Sequence, residues 1–280
     1  MMMLKKIAAV ASVLSLLVLL IGAGVLVAQL ATSPRTVAAA GNAAPAATPA
    51  SESVDQIIDR HVEARGGREK VATVKSVRMS GPLELGAGGT AQLVTEQRRP
   101  NRFRQDFIFN GQPNVRAFDG QIGWYHIPFM GIPKPTLMPA DELKSIIEEA
   151  DIDGPLVDYQ KKGHTVELLG REPIDGRDCY HLKVTLKNGD VRHHFIDAET
   201  MQLARVEGKQ VEQGQEISYV QKFSDFRDVN GVMYPFVSEV EQSSPAGAQK
   251  FVYHIEKIET NVPMDDAHFA MPATQAATKP

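Results

Sequence analysis

Apolar and polar side chains alternate with a period of two residues along much of this sequence, and this pattern restricts the fold more than any other feature. The alternation is clearest in residues 103–109, 180–186 and 251–255, and it is typical of β-strands that bury one face. Turn dipeptides whose residues tolerate positive φ separate the runs: Asn110-Gly111, Asp119-Gly120, Asp175-Gly176, Asn188-Gly189 and Asn230-Gly231. The pattern predicts an antiparallel meander of about 10 or 11 strands, joined mostly as hairpins.

The domain is predicted to begin with a helix over residues 53–65. Ser53 and Gln56 have the spacing of a capping box at its start, and Gly66-Gly67 ends it. An apolar stripe along this helix predicts that it packs on the sheet.

A proline-rich segment followed by a second helix interrupts the strands. Residues 128–139 carry four prolines, which excludes them from a central strand. Residues 142–150 have the apolar face of a helix. Because the concave side of a curved sheet is the apolar surface available to this insertion, we expect the insertion to cover that side. The predicted fold is therefore mainly β with α: a curved, antiparallel, unclosed β-barrel with the N-terminal helix and the inserted helix as a lid.

Large apolar side chains of the strands and of the lid are the candidate ligand-binding residues on the concave face. They are Phe107, Phe109, Trp124, Phe129, Met130, Leu143, Ile146 and Ile147. A curved sheet under a helical lid either fills its interior with such side chains or leaves a cavity. The pattern alone leaves both alternatives open.

The N-terminus has the pattern of an export segment. Lys5 and Lys6 precede an apolar run over residues 7–28, and a positive flank before an apolar core directs export. Since about 20 apolar residues span a bilayer, residues 1–31 are interpreted either as a cleaved signal peptide or as a signal anchor, that is, a transmembrane helix. In both cases the remaining chain lies on the periplasmic side of the cell envelope, released or tethered to the cytoplasmic membrane.

The rest of the chain divides into three parts by composition. Residues 32–52 are rich in Ala and Pro and predict a flexible linker. Residues 53–272 form the predicted barrel domain. Residues 273–280 resemble the linker in composition and predict a disordered tail.

The composition argues against several classes of function. A formal net charge of −4 without a basic block provides no surface to neutralise the phosphates of nucleic acids. The single cysteine, Cys179, excludes an intrachain disulfide and a multi-cysteine zinc site. The sequence lacks the motifs of zinc hydrolases, phosphate-binding loops and nucleophile elbows. We therefore predict a protein that is not an enzyme, with no cofactor and no metal site.

Two groupings of titratable residues have structural interpretations. His181 and His193 flank one hairpin turn and are expected to face each other across it, as a cross-strand polar pair or, together with Cys179, as a metal site. The adjacent Glu148 and Glu149 do not converge on a common point and are interpreted as solvated surface.

Short motifs follow one another in a characteristic order along residues 54–272. They are Gly66-Gly67, Arg99-Pro100-Asn101-Arg102-Phe103-Arg104, Asp119-Gly120 with Trp124, Asp153-Gly154-Pro155-Leu156-Val157-Asp158-Tyr159, Lys162-Gly163-His164, Leu186-Lys187-Asn188-Gly189-Asp190, Gly231-Val232-Met233-Tyr234-Pro235-Phe236, and Asn261-Val262-Pro263 with Phe269. Their order and spacing resemble those of the bacterial outer-membrane lipoprotein-sorting family (LolA-like). The resemblance implies an unclosed β-barrel with helices as a lid, in proteins that carry lipoprotein acyl chains in a hydrophobic cavity or sense mislocalised lipoproteins.

These observations predict a periplasmic or envelope carrier or receptor for lipoproteins or other acylated ligands, bound in the concave face of the barrel. An uncleaved N-terminal segment would attach the protein to the membrane and favour reception or sensing over shuttling. Two alternatives remain open: a non-catalytic envelope sensor or scaffold that binds another protein, and a hydrolase of unrecognised type, whose catalytic groups converge only in three dimensions.

Overall fold

The computed structural model describes residues 52–86, 88–212, 215–244 and 247–272. The predicted export segment, nearly all of the predicted linker and the predicted C-terminal tail lie outside these residues. Within the described part of the chain, no helix is both long and apolar enough to cross a membrane.

Fourteen strands of the described residues form one antiparallel sheet. They are β1 (Ser76–Leu85), β2 (Thr90–Arg98), β3 (Arg102–Phe109), β4 (Gln112–Phe118), β5 (Gly123–Ile127), β6 (Ile132–Leu137), β7 (Thr165–Ile174), β8 (Arg177–Thr185), β9 (Val191–Asp197), β10 (Leu203–Glu212), β11 (Gln215–Val229), β12 (Val232–Ser244), β13 (Gly247–His254) and β14 (Lys257–Thr260). The helices are α1 (Val54–Ala64), α2 (Arg68–Thr73) and α3 (Ala140–Glu149), with a 3-10 turn at Pro128–Met130.

The sheet is open, because its two end strands do not pair with each other. Its order is β6-β5-β4-β3-β2-β1-β13-β12-β11-β10-β9-β8-β7, and β14 pairs with β1 beside this path. The prediction of a mainly β, antiparallel, unclosed barrel with helices is confirmed, although the strands outnumber the 10 or 11 predicted. One additional strand is β6, which contains Pro133 and Pro135. Prolines are tolerated there because β6 is an edge strand and leaves one side of its backbone unpaired.

β1 changes partner part-way along its length, which bends this side of the sheet. Residues 77–80 pair with β14, whereas residues 83–85 pair with β13. Gly81 lies between the two pairings, and a Cβ atom there would lie 2.0 Å from the carbonyl oxygen of His254. Glycine is required at this position because the two backbones approach too closely for any side chain.

The two predicted lid helices form close to their predicted bounds. α1 has the predicted capping box between Ser53 and Gln56, and its Ile57, Ile58 and Val62 pack against β8 and β9. α3 begins after Pro139, and its Ile146 is buried in a cluster with side chains of β3 and β4. The two helices therefore cover different parts of the same concave face.

Side chains fill most of the concave face. The largest apolar cluster joins β1 and β2 to β11–β13, and its most deeply buried members include Leu83, Leu93, Val240, Phe251 and Tyr253. Burial of this apolar surface is the main driving force for folding. The filled interior and the cavity, which the sequence left as alternatives, both occur, since the packed cluster surrounds a small open space.

Candidate functional site

The open space is a cavity of about 160 Å³ on the concave face. Its roof is the C-terminal end of α1 together with residues 152–155, which follow α3. Its apolar walls include Val77, Met79, Leu203, Val206, Phe223 and Ile255. An apolar protein cavity of about 150 Å³ admits benzene, so this one accommodates an aromatic ring or a short alkyl segment. Pockets for larger ligands measure roughly 300–1,000 Å³.

One side of the cavity is polar and is built around two histidines. His61 lies in the last turn of α1, and its Nδ1 is 2.7 Å from the carbonyl oxygen of Met201. Because a carbonyl oxygen only accepts hydrogen bonds, Nδ1 carries the proton and Nε2 is left as an acceptor. His194 of β9 is 2% exposed, and its Nδ1 has no hydrogen-bond partner among the described residues.

Gln202 adds a third polar group to this side of the cavity. Its amide nitrogen donates a 2.9 Å hydrogen bond to the carbonyl oxygen of Ala64. Its Oε1 is buried and lacks a partner within the described part of the chain. A buried polar atom without a partner costs about 1–3 kcal/mol, so Gln202 Oε1 and His194 Nδ1 each lower the stability of this region.

Both histidines are neutral at neutral pH. Burial, reinforced by the positive charge of Arg65, lowers the pKa of His61 to about 4. Burial, reinforced by His61 and Arg192, lowers the pKa of His194 to about 3. The polar side of the cavity therefore presents uncharged imidazoles.

Ion pairs and hydrogen bonds hold the roof of the cavity in place. Arg99 donates two hydrogen bonds of 2.5 Å to the carboxylate of Asp153, and Arg65 donates to the Asp153 carbonyl oxygen at 3.0 Å. Although burial acts to raise it, the pKa of Asp153 is lowered by the hydrogen bonds and charge of Arg99. Lys162 binds both Asp151 and the carbonyl oxygen of Gly154. These contacts determine where residues 152–155 lie.

α3 is attached to strands on both sides of the concave face. Glu149 pairs with Arg116 of β4, with one contact of 3.0 Å, and Glu148 pairs with Arg192 of β9 at 3.1 Å. The interpretation of Glu148 and Glu149 as solvated surface is wrong, since Glu149 is only 1% exposed. The sequence does not reveal this arrangement, because the two arginines that bind the carboxylates come from opposite halves of the sheet.

The eight candidate ligand-binding residues predicted from sequence do not line the cavity. Four of them pack in or against the largest apolar cluster: Phe107, Phe109, Phe129 and Met130. Leu143 and Ile146 pack between α3 and the sheet, and Ile147 is 43% exposed. Phe107 and Phe109 contact Phe129, whereas Leu143 and Ile146 belong to a separate cluster, and the role of these residues in ligand binding stays a prediction.

Trp124 departs from the predicted arrangement. In the register of β4 and β5 it lies opposite Ala117, whereas its neighbour Tyr125 lies opposite Arg116 on the concave face. Since adjacent residues of a strand point to opposite faces, Trp124 faces the outer side. Its indole nitrogen donates a 2.9 Å hydrogen bond to the carbonyl oxygen of Phe269, so the C-terminal segment covers it. The expectation that Trp124 shares the concave face is thus corrected.

The predicted histidine pair forms on the outer side of the hairpin. His181 Nε2 lies 2.5 Å from His193 Nδ1, and His181 Nδ1 lies 2.6 Å from a carboxylate oxygen of Glu172. Cys179 is buried in a separate apolar cluster. The described residues contain no group of three or more side chains suited to hold a metal ion, so this grouping is a polar network.

Sequence motifs that lie far apart in the chain meet around the cavity. Arg99 and Asp153 come from two of them and form the ion pair of the roof. Gly66 packs against Gly231, whose carbonyl oxygen would lie 2.1 Å from a Cβ atom at position 66. The amide of Met233 donates to the carbonyl oxygen of Arg65 at 2.9 Å. Periodicity did not identify the cavity residues, but the motifs indicated the region where they converge.

The fold and the cavity define a class of protein: an open antiparallel β-barrel whose concave face is covered by helices. The sequence matches neither a family model nor a curated protein. Solved structures share the fold. A DUF1329 family protein from Desulfovibrio piger is 17% identical with a TM-score of 0.53, over 78% of this chain and 97% of that chain. A LolA superfamily protein, NE2245 from Nitrosomonas europaea, is 13% identical with a TM-score of 0.53, over 79% of this chain and 98% of that chain. The LolA-like resemblance predicted from sequence is confirmed at the level of the fold.

Proposed function

We propose that this protein is a carrier or receptor of the bacterial cell envelope that binds the acyl chains of lipoproteins or of acyl lipids. The observation that carries the proposal is the apolar cavity on the concave face of a LolA-like barrel. Transfer of an acyl chain from water into such a cavity is favourable by about 0.8 kcal/mol for each buried methylene group. Binding is therefore driven by chain length and needs no catalytic group.

The size of the cavity implies that a long acyl chain binds only when the cavity enlarges. At about 160 Å³, it holds a short alkyl segment. Residues 128–150 are the proposed lid. When the lid moves away, Phe107 on the sheet becomes part of the wall of a larger groove, and Phe129 and Ile146 form the inner side of the lid. Of the ligand-binding residues predicted from sequence, those that pack between the lid and the sheet then contact the ligand in the open state.

The attachment of α3 suits a lid that opens. Two of its carboxylates bind Arg116 and Arg192, and a buried ion pair contributes little net stability because desolvation offsets the Coulombic attraction. When the lid opens, water solvates these four charged groups again. Opening therefore costs less than the separation of an equally large apolar interface.

The proposed location follows from the N-terminal sequence. The positive flank and apolar run of residues 1–31 direct the chain across the cytoplasmic membrane. A cleaved segment would release a diffusing carrier, and an uncleaved one would tether a receptor. The Ala/Pro-rich residues 32–52 would then space the barrel from the membrane surface.

An engineered disulfide between α3 and β4 tests the lid. Native Cys179 is first replaced by Ala, and the new cysteines are placed at facing positions with Cα atoms about 5.5–6 Å apart. We expect the oxidised full chain to take up no fluorescent fatty-acid probe and the reduced chain to regain uptake. A matched control joins β7 to β8, away from the lid, and should bind the probe in both states. Unchanged uptake by the oxidised α3–β4 variant would contradict the lid, and no uptake in any form would contradict the carrier.

A protein-binding sensor or scaffold is a second candidate, favoured by the largely filled concave face and the open sheet edges. β7 is one of these edges, and it exposes 51% of Leu169. An exposed edge can bind an extended peptide as an additional strand. Failure of every acyl probe to bind, combined with protection of β7 amides from hydrogen exchange by an added envelope fraction, would favour this function.

A further inference from the structure

Arg65 is a charged residue of the cavity wall whose hydrogen-bond donors are not all used by the protein. It directly follows α1 and lines the cavity, and its Nη1 donates to the carbonyl oxygen of Asp153. Its Nε and Nη2 donate to none of the described residues, yet they are not among the enclosed atoms that lack a partner. These two nitrogens are therefore accessible to a ligand, unlike His194 Nδ1 and Gln202 Oε1.

The hydroxyl group of Tyr234 is a second accessible donor of the cavity wall. Tyr234 lies on β12 and lines the cavity, and its strand is held beside Arg65 because the amide of Met233 donates to the Arg65 carbonyl oxygen at 2.9 Å. The hydroxyl group has no partner within the described part of the chain, and it too is absent from the enclosed atoms without one. Since burial raises the pKa of Tyr234, the hydroxyl group keeps its proton at neutral pH and can donate it in a hydrogen bond.

The positive charge of Arg65 is not neutralised by a carboxylate. The two acidic residues of this region already have their own cations, because Asp153 pairs with Arg99 and Asp151 pairs with Lys162. Arg65 forms no ion pair among the described residues, and the group that it contacts is a neutral carbonyl. Burial lowers the pKa of Arg65, although Asp153 and Asp151 act to raise it. An arginine nevertheless stays charged, so a bound anion would stabilise this side chain.

We infer that Arg65 and Tyr234 bind the carboxylate of a free fatty acid, whose alkyl chain lies against the apolar walls of the cavity. The inference rests on the proposed function, since it adds a head-group site to the cavity proposed for acyl chains. Nε and Nη2 lie on one edge of the guanidinium, and two parallel donors on one edge match the two oxygens of a carboxylate. A single unpaired positive charge is neutralised by a monoanion, which favours a carboxylate over a phosphate.

Small fluorinated probes that match the cavity volume test the inference. The full chain in phosphatidylcholine nanodiscs is titrated at neutral pH with 4-fluorobenzoate, 4-fluorobenzamide and 4-fluorophenyl phosphate, and binding is measured by ¹⁹F NMR with empty nanodiscs subtracted. The benzamide has nearly the shape of the benzoate without its charge. We expect the benzoate to bind about tenfold more tightly than the benzamide, because hydrogen bonds to charged groups are stronger than those between neutral ones. The phosphate should bind more weakly than the benzoate, because its second negative charge has no partner.

Three variants locate the effect. Arg65→Met should weaken binding of the benzoate about tenfold and bring the benzoate and the benzamide to similar affinities. Tyr234→Phe keeps the ring and should weaken binding of the benzoate about fivefold. Arg68→Met is the matched control, because it removes the same charge three residues along the chain, where Arg68 pairs with Asp59 and does not line the cavity. It should bind all probes as the wild type does, and circular dichroism checks that each variant is folded.

The outcomes separate the two proposals. If the benzamide binds as tightly as the benzoate to the wild type, the carboxylate site is refuted while the acyl cavity stands. If the phosphate binds best, or if Arg65→Met keeps the preference for the benzoate, a different head group or a different residue is responsible and the inference is wrong. If no probe binds, both the inference and the proposed function fail.

Discussion

The helices α1 and α3 both cover the concave face of the barrel, but different forces hold them there. α1 buries Ile57, Ile58 and Val62 against β8 and β9, with Ile57 entirely inaccessible to solvent. A capping box at Ser53 and Gln56 satisfies backbone groups at its start. α1 therefore behaves as part of the hydrophobic core.

α3 buries fewer apolar side chains than α1 does, and it forms ion pairs with the sheet. Its buried apolar side is Ile146, next to Ala150, while Glu148 and Glu149 bind arginines of β9 and β4. The side chain of Gln97 also donates a 2.5 Å hydrogen bond to the carbonyl oxygen of Glu149. Apolar burial contributes most of the stability of a packed helix, whereas a buried ion pair contributes little net stability. Under the proposed function, this difference favours α1 as permanent structure and α3 as the part that moves.

The largest expected effect comes from removal of one partner of a buried pair. Arg116→Met removes the arginine that pairs with the buried carboxylate of Glu149, and should lower the free energy of unfolding by about 3–5 kcal/mol. Arg116→Met combined with Glu149→Met should restore most of this loss, since an apolar replacement of a whole pair is often neutral or stabilising. Urea denaturation monitored by circular dichroism measures both variants.

An exposed pair serves as the control for this experiment. Lys209 and Glu216 lie 2.6 Å apart on the surface, and Lys209→Met should change stability by about 0–1 kcal/mol. If the double variant is as unstable as Arg116→Met alone, the ion pair contributes to the stability of α3, and the contrast between the helices is lost.

A core substitution in α1 should produce the next largest effect. Ile57→Ala removes a fully buried side chain and should lower the free energy of unfolding by about 2–5 kcal/mol. Ile147→Ala on the exposed side of α3 should change it by less than about 0.5 kcal/mol. In an acyl-probe assay, Ile57→Ala should leave the rate of probe exchange unchanged while the protein remains folded. Faster exchange would mean that α1, too, acts as a lid.

Acid should lower the free energy of unfolding through two buried histidines, His61 of α1 and His194 of β9. Each histidine has an unfolded-state pKa of about 6.5 and a lowered pKa in the folded protein, about 4 for His61 and about 3 for His194. Between these values the unfolded state binds more protons. The free energy of unfolding should therefore fall as the pH drops below about 6.5, by up to about 1.4 kcal/mol per pH unit for each histidine. Urea unfolding at pH 7.5, 6.5, 5.5 and 4.5 gives the profile. In His194→Leu, the fall in the free energy of unfolding with pH should be smaller by the contribution of one histidine. A profile identical to that of the wild type would show that His194 is not buried as neutral imidazole.

Local features of the fold were predictable because their interactions join residues close in sequence. The capping box of α1 spans Ser53 and Gln56, and the hairpin at Asn188-Gly189 joins β8 to β9. The position of α3 followed from its apolar pattern and Pro139. The residues that line the cavity were not predictable from periodicity, because the predicted residues pack elsewhere and none of them lies in the cavity wall.

The sequence by itself determined the strand and helix pattern, the open antiparallel class of the barrel and the motifs that surround the cavity. Only the tertiary structure decided that Trp124 faces outward, that Glu149 is buried while Glu148 pairs with Arg192, and that His61, His194 and Gln202 line one cavity. The physical reason is the distance along the sequence over which each interaction acts. Periodicity and turn chemistry act over a few residues, whereas the partners of these side chains come from strands that are brought together only when the sheet curves and its register is set.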